Sequence, residues 1–403
     1  MNQKNVMNLH QNDGTELPEK KIPKAVRAVL GTLFSLISVL CLCVLIWGIS
    51  LDSTVVGAHK ADEVSYDLQG KLATFVNNSV SDALGDLTYI RKIYTIDRQA
   101  TVAPAPDSRY FGEVSIEDAD KVLAVIEQAR EYGLLDGQNV IFDPTVDFYW
   151  DSNIQYYCDE TILVICWKEL IEGRVCSCVE VKIADGSQIR RKLVNDTYGS
   201  GERVYASELA KSSNAVVAMN ADFYAFRNLG VTVYQGKLYR YETTCDVLLI
   251  DGEGDFHFLR REELQGREAV EQYIKEHDIQ FSLAFGPVLV QDGELRLLRD
   301  NYSGLGEMHE EYSRAGIAQY DKLHYLYMTI SFSKDSTPRA KVNEFARIMY
   351  SKGVQNAYNF DGGQTGEVVF QGEPYNHIDF GFERTVSDVI YFATAIPEKE
   401  GKQ

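Results

Sequence analysis

Tyr358-Asn359-Phe360-Asp361-Gly362-Gly363-Gln364-Thr365-Gly366 ends a short apolar run in an amide and a carboxylate, then breaks into a glycine-rich turn. This is the layout of a strand that delivers Asn359 and Asp361 to the rim of a site. Glycines let a backbone approach a ligand closely and expose N–H groups to an anion, so Gly362 and Gly363 are read as part of that site. Asp-Gly is also a common hairpin tip, and a plain turn is the competing reading. A second block weighs against it. Ala215–Met219 is again apolar and runs into Asn220-Ala221-Asp222-Phe223-Tyr224. In an extended segment residues two apart share a face, so Asn220 and Asp222 point at one site.

Three further blocks follow in order: Gly286-Pro287-Val288-Leu289-Val290-Gln291-Asp292-Gly293, Ser313-Arg314-Ala315-Gly316-Ile317-Ala318-Gln319, and Arg384-Thr385-Val386-Ser387-Asp388. With the Asn-x-Asp-Phe-Tyr and Asn-Phe-Asp-Gly-Gly blocks, this order resembles the phosphodiester glycosidase family over about residues 155–397. Family members usually read Asn-Leu-Asp-Gly-Gly-Gly-Ser, where this chain has Gln364 and Thr365. They often carry Val-Asp-Gly where it has Ile330-Ser331-Phe332. The resemblance implies an extracytoplasmic hydrolase that cleaves a sugar-1-phosphodiester on surface glycan or exopolysaccharide, N-acetylglucosamine being one such sugar. A non-catalytic glycan-binding module on the same fold is the alternative, kept open by those two departures.

For that reaction the leaving group is already an anionic phosphate and needs little protonation, so donors to developing phosphate charge matter more than a strong acid. Arg314 is the candidate, because a guanidinium pairs two phosphate oxygens in its plane. Asp361 is the first candidate to activate water or steady positive character at the anomeric carbon, and Asp222 the second. Asn220 and Asn359 are expected to orient hydroxyls or phosphate. Tyr224, Gly362, Gly363, Gln364, Thr365 and Arg384 complete the expected substrate contacts. Arg384, Ser387 and Asp388 stand behind the reacting groups, with a local Arg384–Asp388 ion pair as the competing reading. No cofactor is required. None of the seven His forms a His-Glu-x-x-His or other close metal pair. An all-oxygen calcium or magnesium site at Asp222 and Asp361 stays open, and the metal is unknown. There is no Gly-x-Ser-x-Gly elbow and no Gly-Lys-Ser/Thr phosphate loop.

The elements that must hold these residues are mostly strands. Tyr156-Tyr157, Thr161–Trp167, Val175–Ile183, Val247–Ile250 and Leu323–Ile330 read as strands, with hairpin turns at Glu172-Gly173 and Gln235-Gly236. Helices are expected over Tyr205–Lys211, Arg267–His277 and Val342–Lys352, the last capped by Gly353. Another runs from Ile116 to Tyr132, opened by a Ser115/Asp118 capping box and closed by Gly133. The order points to an α+β fold: a strand-rich mixed-sheet domain with scattered helices, over 113–397.

Ahead of it lie a tail (1–27), a membrane helix (28–49) and a helical stalk with linker (50–112). Ala28–Ile49 carries no charge. At about 1.5 Å per residue it crosses a hydrocarbon core of about 30 Å. Lys20, Lys21, Lys24 and Arg27 precede it and Asp52 follows, which puts the N-terminus inside and the domain outside. A signal peptide cleaved near Val56-Gly57-Ala58 is the rival reading. This predicts a single-pass protein of the cell membrane whose partner is glycan. A net charge of −19 argues against nucleic acid. Cys158, Cys166, Cys176, Cys178 and Cys245 lie beyond the membrane run; their odd number leaves at least one unpaired, and Cys166 and Cys176, on facing strands of one hairpin, are one open pairing.

Overall fold

A computed structural model describes residues 95–396 apart from 223, 227, 262, 264–265, 300–301, 303–308 and 332–336. The membrane run, most of the stalk, Cys41 and Cys43, and Phe332 lie outside the described residues. Among the described residues no helix is long and apolar enough to cross a membrane.

The chain builds a layered α+β domain. A nine-stranded sheet runs, in spatial order, through Phe111–Ser115, Asn153–Cys158, Ile162–Ile171, Arg174–Ile183, His324–Ile330, Arg314–Asp321, Asn356–Phe360, Val288–Gln291 and Glu294–Leu295. A five-stranded sheet places Val217–Asn220 between Val368–Phe370 and Asp388–Phe392. The strand pairings among the described residues are antiparallel.

Both faces of the large sheet are covered, which is why its central strands read as unbroken apolar runs. Leu163, Ile165 and Trp167 pack with the helices Val122–Glu131 and Val342–Ser351. Ile162, Val164 and Cys166, one residue out of phase, join Tyr358, Phe360, Val217 and Met219 between the two sheets. The helix Ala206–Ser213 covers the far side of the five-stranded sheet. Burial at about 25 cal/mol per Å² of apolar surface makes this double-sided core the dominant stabilising term.

Three expectations are corrected here. Residues 95–112 are no free linker: Ile96 and Ala103 pack in the core under the helix Ala206–Ser213. The Ile96 N–H donates to Ser187 Oγ at 2.8 Å, and Asn214 Nδ2 donates to the Ala103 carbonyl at 2.8 Å. The folded unit therefore starts ahead of residue 113. The expected helix at 116 divides into a 3-10 stretch, Ile116–Lys121, and an α-helix, Val122–Glu131. Ser115 makes no side-chain cap there, and Asp118, the reciprocal partner of a capping box, pairs with Lys121 at 2.8 Å instead. Finally, the hairpin register sets Cys166 opposite Val179 and Cys176 opposite Glu169, so the two thiols do not face each other. All five described cysteines are free and buried.

Candidate active site

The strand Asn356–Phe360 lies between Arg314–Asp321 and Val288–Gln291 and carries Asp361 off its end. The turn that follows is held against its neighbour. Gly363 N–H donates to the Ser313 carbonyl at 2.9 Å, and a Cβ at Gly362 would lie 2.1 Å from that same oxygen. Only glycine fits there. Thr365 and Gly366 N–H groups close onto Gly362 and Gly363 carbonyls. Gly363 N–H, expected to face an anion, is thus taken by Ser313, and the next two donors are spent inside the turn.

The turn instead aims a carboxylate. Asp361 is half-buried, and Thr365 Oγ1 lies 2.8 Å from its Oδ2. Thr365 thus supplies the hydroxyl that a Ser would have supplied. Asn220 anchors the turn from the other sheet. Its Nδ2 donates to the Asp361 carbonyl at 2.7 Å, while its Oδ1 accepts from Tyr327 Oη at 2.5 Å and from Glu367 N–H at 3.1 Å. Asn220 and Asp361 are therefore brought together, 141 residues apart in sequence. Every polar atom of the Asn220 amide has a protein partner, so it is a staple between sheets rather than a substrate contact.

Other expected residues turn away from the rim. Asn359 is fully buried and donates to the Gly286 carbonyl at 2.8 Å. Alternation along the strand sends it to the opposite face from Tyr358 and Phe360. Arg314 donates through Nε to the Ala340 carbonyl at 2.9 Å and through Nη2 to the Glu310 carbonyl at 3.1 Å. Its fork is occupied by backbone, and burial lowers it to about 10. It does not serve as an open bidentate clamp. Tyr224 is buried and stacked on Tyr198 at 5.1 Å, its hydroxyl pushed up to about 12, mainly by burial. Gln364 reaches the Phe382 carbonyl at 3.1 Å.

Asp222 belongs to a buried ion cluster. Arg191, on the strand Ile189–Leu193, lies 2.8 Å from Asp388 Oδ2 and 3.4 Å from Asp222 Oδ2, and all three side chains are 0% exposed. Asp222 Oδ2 also accepts from Ala284 N–H at 3.1 Å. Burial raises Asp388 to about 6, Arg191 opposing and Asp222 adding. A carboxylate so enclosed and already neutralised is poorly placed as a base or a cation ligand, which removes the second candidate base. Among the described residues no three His, Cys, Asp or Glu gather for a metal. The cluster also corrects the local Arg384–Asp388 pair: Asp388 is taken by Arg191, and Arg384 is exposed, over Phe226.

Sequence reasoning missed several neighbours. Arg190-Arg191-Lys192 resembles a solvated charge run, yet the whole strand Ile189–Leu193 is buried. Phe380 and Phe382 flank the Gly362–Thr365 turn and are 80% and 63% exposed, with Phe380 at φ +67. The left-handed conformation of Phe380 costs on the order of 1 kcal/mol, so the turn holds two solvent-facing aromatics beside Asp361 at some expense. Glu367 is fully buried, with the Glu383 carboxyl as its side-chain neighbour. Burial, then the nearby Glu383 carboxylate, pushes it up to about 9. The one signal was its place between Gly366 and the apolar strand Val368–Phe370.

Glu367 gives a pH prediction. The folded state holds its proton up to about 9, whereas the unfolded chain releases it near 4.5. Stability therefore falls as pH rises between those values. Glu367→Gln keeps the shape without the titration. Urea unfolding should show the variant more stable than the parent at pH 8, by about 1 kcal/mol or more, with the gap closing toward pH 5. A variant less stable at pH 8 would refute this.

Residues 213–393 match the family described as phosphodiester glycosidase. This bears out the resemblance read from the ordered blocks. The SPbeta prophage-derived uncharacterized protein YomE of Bacillus subtilis is 22% identical over 200 residues, which are 48% of this chain and 30% of YomE. A solved hypothetical protein from Synechocystis is 16% identical with a TM-score of 0.48, over 60% of this chain and 64% of its own. The catalytic domain of zebrafish N-acetylglucosamine-1-phosphodiester alpha-N-acetylglucosaminidase, auto-inhibited by its pro-peptide, is 15% identical with a TM-score of 0.45. There the match covers 62% of this chain and 86% of that one.

Proposed function

From a segment, residues 213–393, that carries phosphodiester glycosidase sequence, we propose that the chain hydrolyses a sugar-1-phosphodiester. The reading is supported above all by the half-buried Asp361 carboxylate, oriented by the Thr365 hydroxyl and fixed through its own carbonyl by Asn220. In this reaction water oxygen bonds to the anomeric carbon as the bond from that carbon to the phosphate oxygen breaks. Free sugar and a phosphomonoester result. Asp361 takes the proton from water or steadies positive charge at the anomeric carbon, and the phosphate leaves as an anion without a strong acid. Phe380 and Phe382 offer faces on which a sugar ring stacks.

The substrate we favour is a glycosyl phosphodiester of surface glycan or exopolysaccharide, with N-acetylglucosamine as one sugar to try. Ala28–Ile49 would anchor the chain with this domain outside the membrane; N-terminal sequencing of a mature protein that begins near His59 would overturn that topology. The function is tested by incubating the chain with a panel of sugar-1-phosphodiesters and following both products. Release of sugar-1-phosphate instead would make the enzyme a phosphodiesterase. Glycan binding without turnover would favour a binding module.

A further inference from the structure

The chain has a net charge of −19, yet it gathers two arginines on one aromatic ring. The Arg203 and Arg384 guanidinium carbons lie 4.6 Å and 5.5 Å from the centroid of one ring, Phe226. Both side chains are exposed, and among the described residues neither makes a hydrogen bond or an ion pair. The acids next to them in sequence are engaged elsewhere: Glu202 accepts from Asn195 Nδ2 at 2.8 Å and Glu383 from Ser207 Oγ at 2.8 Å. An oxyanion between them would remove the repulsion.

Their backbone is tied to the site on two sides. Val204 and Val386 exchange hydrogen bonds of 3.1 Å and 2.8 Å, which brings the two arginine-bearing segments together. The same segment gives the Phe382 carbonyl to Gln364 of the Asp361 turn and ends in Asp388 of the buried ion cluster. Phe226 stands on the loop that leaves Asp222. Stacking on a ring engages a guanidinium face and leaves its edge N–H donors for oxygen. Arg314, whose donors go to backbone carbonyls, does not supply this function.

We propose that Arg203 and Arg384, held on Phe226, form the clamp for the phosphoryl group of the substrate. The clamp rests on the sugar-1-phosphodiester reading for its biological ligand, but not for its chemistry. One experiment separates the two. The full chain is titrated with inorganic phosphate by calorimetry, and the same protein is assayed on a phosphodiester and on a neutral aryl glycoside. Charge-assisted bonds of this kind predict that Arg203→Gln with Arg384→Gln weakens phosphate by about tenfold or more. KM for the phosphodiester should rise more than kcat falls, and any hydrolysis of the neutral glycoside should fall by less than that of the phosphodiester. Arg384→Lys should hold phosphate better than Arg384→Gln, and an unchanged thermal midpoint shows that folding is intact. Phosphate binding that depends on both arginines, in a chain that turns over no phosphodiester, keeps the clamp and refutes the reaction. Unchanged phosphate affinity and KM in the double variant, with turnover present, overturns the clamp and leaves the reaction standing.

Discussion

Asp361→Asn should lower turnover of a sugar-1-phosphodiester by about 100-fold or more, the usual loss for a base or charge-stabilising carboxylate. The amide has the same shape, so the contact with Thr365 Oγ1, 2.8 Å from Oδ2, can be kept with a reoriented hydroxyl. Asn220 bonds the main-chain carbonyl of Asp361, not its side chain, and the anchor of the turn is untouched. The thermal midpoint should therefore move little while kcat falls. Thr365→Val is the graded companion: it removes the orienting hydroxyl but leaves the charge, and should lower kcat by less. Full activity in Asp361→Asn would end the assignment of this carboxylate even if the reaction itself is found.

Much of the scaffold was legible because two periodicities dominate the sequence. The helices Arg267–Glu276 and Val342–Ser351 start where apolar spacing placed them and end within a residue of it. The hairpin turning at Glu172-Gly173 has both residues at positive φ, 52 and 74, as a two-residue turn requires. The turn after Phe360 was legible because glycine is the residue that tolerates 2.1 Å of crowding. What stayed hidden depends on contacts distant in sequence. Strand alternation alone could have warned that Asn359 and Phe360 face opposite ways, but not that the Arg314 fork meets Ala340 and Glu310 carbonyls. The helical spacing at 116 did not reveal that Asp118 would pair with Lys121. Likewise, a row of three basic residues at 190–192 gives no sign of burial. Arg191 is buried because Asp222 and Asp388 come to it from 31 and 197 residues away.

That enclosure makes Arg191→Met the most destabilising change expected in the domain. Removing one partner from a buried ion cluster leaves uncompensated charge, at about 3–5 kcal/mol. Here two carboxylates, both 0% exposed, would lose their common cation. The Asp388 carboxyl already sits at about 6 with Arg191 present, because burial outweighs the attraction. Its folded form therefore takes up a proton as pH falls through about 6, before the unfolded chain does near 3.8, and acidification favours the fold over that window. Without Arg191 the Asp388 carboxyl should be driven further up, so the deficit of the variant should be large at pH 7 and smaller at pH 5. Urea midpoints at the two pH values measure this directly. Should Arg191→Met fail to fold, Arg191→Lys keeps a charge while losing the double contact, and its smaller deficit should shrink in the same direction. Adding Asp388→Asn to Arg191→Met should recover part of the loss at pH 7. A midpoint for Arg191→Met equal to the parent at pH 7 would mean that the carboxylates find other partners and that Arg191 does not hold the Asp222 loop to the five-stranded sheet.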